Sequence, residues 1–284
     1  MVRALTIRVL VEDSPGEVGG KFLAQHGLSL LVDAETNHGK TSVILDTGPS
    51  AEAIAHNMEA MRLDLGSVVA IVLSHGHYDH LGGILRVLKA VGRPIPVIAH
   101  PKAFSPKIVL SPSLRFAGSP FSASEIAKGG GIPLLGTNSI RIAEGIATSG
   151  EVERETQFEQ TEGFWTIENE RFIEDRVSDD QALILDLDER GLAILTGCAH
   201  SGIVNTVRTA QKVTSKNRIH AVIGGFHLYK ADEERVAKTV DELVKLNVQL
   251  VSPCHCTGTV ATGRLMQAFG ERCRPLHTGD LVRL

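Results

Sequence analysis

The stretch SHGHYDHLGG, Ser74–Gly83, decides how the rest of the chain is read. It places His75, His77, Asp79 and His80 in one short loop. The apolar run VVAIVL before it predicts a buried strand, and ILRVLKAVG after it has the spacing of a helix. Neutral imidazoles are good ligands for zinc and similar ions, and a carboxylate adds an anionic oxygen. In an extended segment His75 and His77 project to one side. Asp79 and His80 then fall where the chain turns into the helix, so the spacing can supply parts of two metal sites. A structural finger holding one ion needs less. A solvated polar loop would explain one histidine. It does not explain four ligand-type residues in H-x-H-x-D-H order between a strand and a helix.

Composition leaves room for such a centre. The 284 residues are 43% hydrophobic and 22% charged, as in an ordinary globular protein that needs no disulfide staples. The net charge is −4 with no long run of Lys or Arg, which weighs against nucleic acid as a partner. The opening MVRALTIRVLVEDSP lacks the apolar core of a signal peptide, and no apolar run reaches the ~18–20 residues that span a membrane. Cys198, Cys254, Cys256 and Cys273 do not form the pattern of a secreted disulfide framework. The expected setting is cytoplasmic, without a membrane partner; oligomeric state is not legible.

Strands are predicted at ALTIRVLV, LSLLVDAE, TSVILDTG, VVAIVLS and IPVIAHP, and later at QALILDLDE, GLAILTGC, IHAVIGGF and VQLVSPC. SAEAIAHNMEAMRL reads as a helix capped by Ser50. ADEERVAKTVDELVKLN reads as another, with Val236, Val240, Leu243 and Val244 on one face and Asp232, Glu233 and Glu234 at its positive end. Strands come first and strand–helix alternation follows, once in each half. This predicts an α/β fold of two mixed sheets with helices outside, in one domain over 1–284. The stretch of about 104–176, rich in Gly, Ser, Pro and charge, reads as an irregular lid-like insertion.

H-x-H-x-D-H followed by LGG, with ILDTG upstream, resembles the metallo-β-lactamase superfamily. That family is an αββα sandwich with one or two metals at the edge between its sheets. QHGLSLLV, TSGEVERETQFE, DDQALIL, LTGCAHSGIVNTV, VIGGFHL and SPCHCTG are similar to a branch of it. The branch holds the archaeal dihydropterin ribofuranosyl-aminobenzene phosphate synthase of methanopterin formation and related predicted metal-dependent hydrolases. The resemblance spans nearly the whole chain. It implies that His75, His77 and His200 hold a first metal and that Asp79, His80 and His255 hold a second. The ions expected are two divalent metals, zinc first, with iron or manganese as alternatives. Where many members have TGD, this chain has TGC, so Cys198 stands in the place of the bridging aspartate. Asp180 is a possible substitute, and His227 is a further ligand or substrate contact.

Around these, His26 and Arg115 are read as substrate-side residues, and Lys102, Lys107 and Lys128 as further cations that could meet a phosphate. His100, His38, His56, His220 and His277 are read as structural or surface histidines. The Cys-x-Cys of CHC lacks the spacing of a structural zinc site, so its thiols are read as buried small hydrophobes. HGKTS lacks the upstream glycine of a phosphate loop, and no G-x-S-x-G or G-x-G-x-x-G occurs.

The first functional expectation is a hydrolase of a small, anionic ester, lactone, amide or phosphoester. Its metals would turn a held water into the nucleophile, with Asp79 as the catalytic carboxylate. The alternative is a methanopterin-type transferase displacing pyrophosphate from a dihydropterin pyrophosphate. A nuclease or a non-catalytic sensor ranks below both.

Overall fold

The computed structural model describes residues 1–16 and 20–284. Its first half runs from three antiparallel strands, Val2–Val11, Ser29–Thr36 and Gly39–Leu45, into parallel strands at Val68–Val72, Ile95–Ala99 and Gly131–Leu135. The second half repeats the scheme. An antiparallel pair, Ala182–Leu187 and Gly191–Thr196, is followed by parallel strands at Ile219–Gly225 and Leu250–Cys254. Helices Ala51–Ala60 and Ile84–Val91 serve the first half; Ile203–Thr214, Glu233–Lys245 and Thr259–Phe269 serve the second.

Hydrogen bonding joins the halves into one large sheet instead of two, through the parallel pair of Val2 opposite Leu187, and the C-terminal strand Leu281–Arg283 also pairs with Val2–Val11. The packing is nonetheless that of a sandwich, because side chains alternate between two cores. In the strand Gly191–Thr196, Ala193 and Leu195 enter the core shared with the first half, while Leu192 and Ile194 face the second half's helices. Val43 and Leu45 likewise face inward while Ile44 meets the first half's helices. Burial on both faces is why these strands read as continuous apolar runs. The layer order is therefore helix, sheet, sheet, helix.

Both helix caps behave as their chemistry predicts. Ser50 Oγ accepts from Ala53 N (3.3 Å) and the Asp232 carboxylate from Arg235 N (2.7 Å). Val236, Val240 and Leu243 are buried, but Val244, predicted on the same face, is 47% exposed. The buried stripe is therefore narrower than predicted, with Val236, Val240 and Leu243 in the second core and Val244 outside it.

The stretch 104–176 is more regular than its composition implies. Gly131–Leu135 extends the main sheet beside Ile95–Ala99, and Ile146–Thr148 pairs with Ala182–Leu187. Ile108–Val109, Arg115–Phe116, Phe164–Glu168 and Arg171–Glu174 form a separate four-stranded sheet, on which Trp165 stacks against Phe172 with ring centroids 5.0 Å apart. These strands are too short for their alternation to show in sequence. Tyr78 N donates to Ala117 O (3.0 Å), tying this segment to the His/Asp loop.

The two glycines of LGG are there for space. A Cβ on Gly82 would stand 1.8 Å from Pro49 O, and one on Gly83 would stand 2.2 Å from Thr47 O. Both obstacles are backbone, so no rotamer relieves them. Gly82→Ala is expected to destabilise by about 3 kcal/mol or more, the upper end for overpacking, read as a fall in the urea midpoint. An unchanged midpoint would contradict this packing.

Candidate metal centre

Five of the strands end together, and the C-terminal end of each delivers a candidate site residue. Asp46 follows Gly39–Leu45, and Ser74 and His75 follow Val68–Val72. Cys198 and His200 follow Gly191–Thr196, His227 follows Ile219–Gly225, and His255 follows Leu250–Cys254. This is the edge where α/β sheets present their sites. Asp46, His227 and His255 have φ of 58°, 47° and 49°, left-handed corners that turn the chain inward at the strand ends.

One group comprises His75, His77 and His200, each offering a nitrogen within 4.8 Å of the others. His75 Nε2 and His77 Nδ1 lie 2.9 Å apart, and the ring centroids of His75 and His200 are 4.7 Å apart. A second group gathers around Asp79 Oδ2. His255 Nε2 lies 3.4 Å from it, while His80 Nε2 and His26 Nε2 each lie 3.6 Å away. Cys198 Sγ stands between the groups, 3.3 Å from His80 Nε2 and within 4.8 Å of a His75 nitrogen.

Three of these histidines are held from behind. His80 Nδ1 pairs with Asp46 Oδ2 (2.7 Å), His255 Nδ1 with Asp13 Oδ1 (2.6 Å), and His75 Nδ1 lies 2.9 Å from Ser74 Oγ. Asp46 also accepts from Ser74 N (2.7 Å) and Ser74 Oγ (2.6 Å), so one carboxylate ties Ser74 and His80 of the same loop together. Such partners fix the ring and the tautomer and leave Nε2 facing the centre. Asp180 touches no ring; its Oδ2 accepts from the backbone Ser201 N (2.8 Å) next to His200.

Burial, with the neighbouring histidines, holds His75 and His200 well below the ordinary imidazole value, and burial takes His77 down to about 3. Each shift favours the neutral ring, the form that can ligate a metal. Burial pushes the Asp79 carboxyl up, but His80 and His255 more than offset this and keep it ionised. Both ring nitrogens of His200, His77 Nε2 and His255 Nε2 are buried without a hydrogen-bond partner. Buried polar atoms are costly when unpaired. Neutral imidazoles, a carboxylate and a thiol converging with unpaired nitrogens fit divalent ions.

A cleft of about 1190 Å³ reaches the centre at Phe164 and His227. Phe164 lies 4.7 Å from His77 ring to ring and His227 4.1 Å from His200. Farther out the cleft is lined by Arg115, Lys230 and Arg235, with Glu234 and Asp241 among them.

A model of the metallo-β-lactamase superfamily matches residues 24–255. The chain belongs to the metallo-β-lactamase superfamily. It is similar over 98% of its length, and 96% of the relative's, to a 7,8-dihydropterin-6-methyl-4-(β-D-ribofuranosyl)-aminobenzene-5'-phosphate synthase of Methanocaldococcus jannaschii, at 38% identity. Among solved structures, a metal-dependent hydrolase of the β-lactamase superfamily matches at 27% identity and TM-score 0.83, with 98% of each chain covered. The Zn²⁺-bound PqqB of Methylobacterium extorquens shares the fold alone, at 12% identity and TM-score 0.55 over 98% of this chain and all of that one.

The metallo-β-lactamase fold brings His75, His77, Asp79, His80, Cys198, His200, His227 and His255 to one place. His26 sits at the rim, its side chain 59% exposed, with Nδ1 2.8 Å from Asp13 Oδ2. Arg115 is exposed in the cleft wall. Lys107 departs from its reading as a phosphate contact. It is 1% exposed, and its Nζ donates to Asp179 Oδ1 (2.5 Å) and Asp175 Oδ2 (3.0 Å), so its charge is already spent inside. His100 caps a turn by accepting from Lys102 N (3.1 Å). Cys254 and Cys273 pack in the apolar cores, whereas Cys256 faces the centre with Cys198. Sequence reasoning assigned no role to Asp13, Asp46, Phe164 or Asp179. Asp46 carried a signal, in ILDTG; the others lie in unpatterned loops or short strands. Among the described residues no helix is long and apolar enough to cross a membrane.

Proposed function

We propose that this protein is a metal-dependent transferase, joining a dihydropterin-methyl group to a ribofuranosyl-aminobenzene phosphate as pyrophosphate leaves. The observation that carries the reading is the end-to-end 38% identity to the Methanocaldococcus jannaschii synthase. The cleft supports it: at about 1190 Å³ it exceeds the roughly 300–1,000 Å³ common for one small ligand, leaving room for two.

His75, His77 and His200 would hold one divalent ion and Asp79, His80 and His255 a second, with Cys198 between. Bound there, the ions would supply Lewis acidity toward the oxygens of a diphosphate leaving group. Arg115 and Lys230 bind phosphate oxygens in the cleft. Phe164 covers His77 and excludes water from the reacting carbon. Asp79, ionised, takes the proton that the attacking aminobenzene gives up. That carbon exchanges its bond to the diphosphate oxygen for a bond to the aminobenzene, so one proton and pyrophosphate leave.

The test is pyrophosphate release from a dihydropterin pyrophosphate on metal-loaded protein, with and without the ribofuranosyl-aminobenzene phosphate. Release that requires the second substrate is expected. The second reading is hydrolysis of a small anionic ester, lactone or phosphoester, favoured by the likeness to the solved metal-dependent hydrolase. Release with water as the only acceptor would support it, and no release would overturn the transferase.

A further inference from the structure

We propose that Cys198 and Cys256 are both sulfur ligands of this centre, forming with His255 a soft edge that selects a thiophilic divalent ion of the zinc class. The inference rests on the metal-centre reading above, not on the reaction assigned to it, and Cys256 has no role in that reading.

Cys198 Sγ is the hub of the donors. It belongs to one close group with His75 and His80, a second with His200 and His227, and a third with His255 and Cys256, the ligand atoms within each group lying within 4.8 Å of one another. The backbone brings the second sulfur round. In the strand Leu250–Cys254, alternation sends Cys254 into the apolar core between the sheets. His255 then takes a φ of 49°, breaking the alternation, and Cys256 returns to the centre beside it. Space for this sulfur is kept by a glycine. A Cβ on Gly225 would stand 2.7 Å from Cys256 Sγ and 2.4 Å from Gly197 O. The hydrogen bond from Cys256 Sγ is long, 3.7 Å to Cys198 O. Facing the pair are buried nitrogens without partners, His255 Nε2, His227 Nδ1 and both nitrogens of His200.

Thiolates favour zinc-class ions, whereas carboxylate and water sets suit magnesium, calcium and manganese. Each thiol releases its proton to solvent as it binds. The replacement of the usual bridging Asp by Cys198 then belongs with Cys256 as one change, a shift of the centre toward sulfur.

The experiment loads the reduced full-length protein with cobalt(II) and reads the sulfur-to-cobalt charge-transfer absorption alongside bound cobalt. A strong band is expected, falling about twofold in Cys256→Ser and vanishing in the Cys198→Ser/Cys256→Ser double variant. Cys254→Ser and Cys273→Ser should leave it unchanged. Full cobalt binding with an undiminished band in Cys256→Ser would overturn the proposal. Cobalt bound without any sulfur band would overturn it alone, and no bound cobalt would overturn the metal-centre reading with it. X-ray absorption on zinc-loaded unmodified protein provides a test free of variant folding. Sulfur at about 2.3 Å is expected in the zinc shell, at least one per zinc averaged over the two ions, and a shell of nitrogen and oxygen alone would overturn the proposal.

Discussion

Alanine at both His75 and His77 is expected to remove most of the bound metal and to lower turnover more than about 100-fold. Losing a residue that merely supports a ligand costs about 10–100-fold, and these two are read as ligands themselves. They contribute two of the three imidazoles in the first group, so His200 alone could not retain an ion there. Elemental analysis of the purified variant, with circular dichroism to show that it is folded, checks this beside the rate. Unchanged metal content would remove both residues from the ligand set.

The second large effect lies beneath the site. Lys107→Met should strand Asp175 and Asp179 in the interior, where removing one partner of a buried ion pair costs about 3–5 kcal/mol. Adding Asp175→Asn and Asp179→Asn should recover part of that stability, because stranded charge, more than lost attraction, is what the single variant suffers. Denaturant unfolding of the two variants decides it, and equal losses would contradict the account. Activity should fall as well, since Asp179 Oδ2 accepts from Gly76 N (2.7 Å), the residue between His75 and His77.

The same network sets a pH dependence. Burial opposes the charge on Asp179, but Lys107 holds its carboxyl below the ordinary 3.8. Burial likewise opposes Lys107, whose carboxylate partners raise it above the ordinary 10.5. The carboxylate therefore contributes stability above about pH 4 that is lost as pH falls through its lowered value. The ammonium contributes stability below about pH 10 that is lost as pH rises through its raised one. Asp179→Asn should flatten the acid limb of the stability curve.

How far the sequence could be read follows from local patterning. H-x-H-x-D-H, its glycines and the runs around it were legible because strand, turn and helix there are specified locally. His200 and His255 could be placed only by resemblance, since nothing near them in sequence shows that two distant strands end beside the first loop. Val2 opposite Leu187, the join of the two halves, has no local signal. Lys107 was misread because a lysine in a polar stretch carries no mark of burial. Its two carboxylates arrive from residues 175 and 179, across the small sheet.

The division of the proposed ligands between the halves bears on how the protein is made. Asp46 and the His75–His80 turn emerge from the ribosome well before Cys198, His200 and His255. Each half closes a core of its own against its helices. An ion arriving early would meet only half of the proposed set. The last arm is in place only when His255 seats against Asp13, 242 residues away in sequence. On the proposed ligand set, retention of metal against a chelator would mark finished chains, and truncated ones would release it.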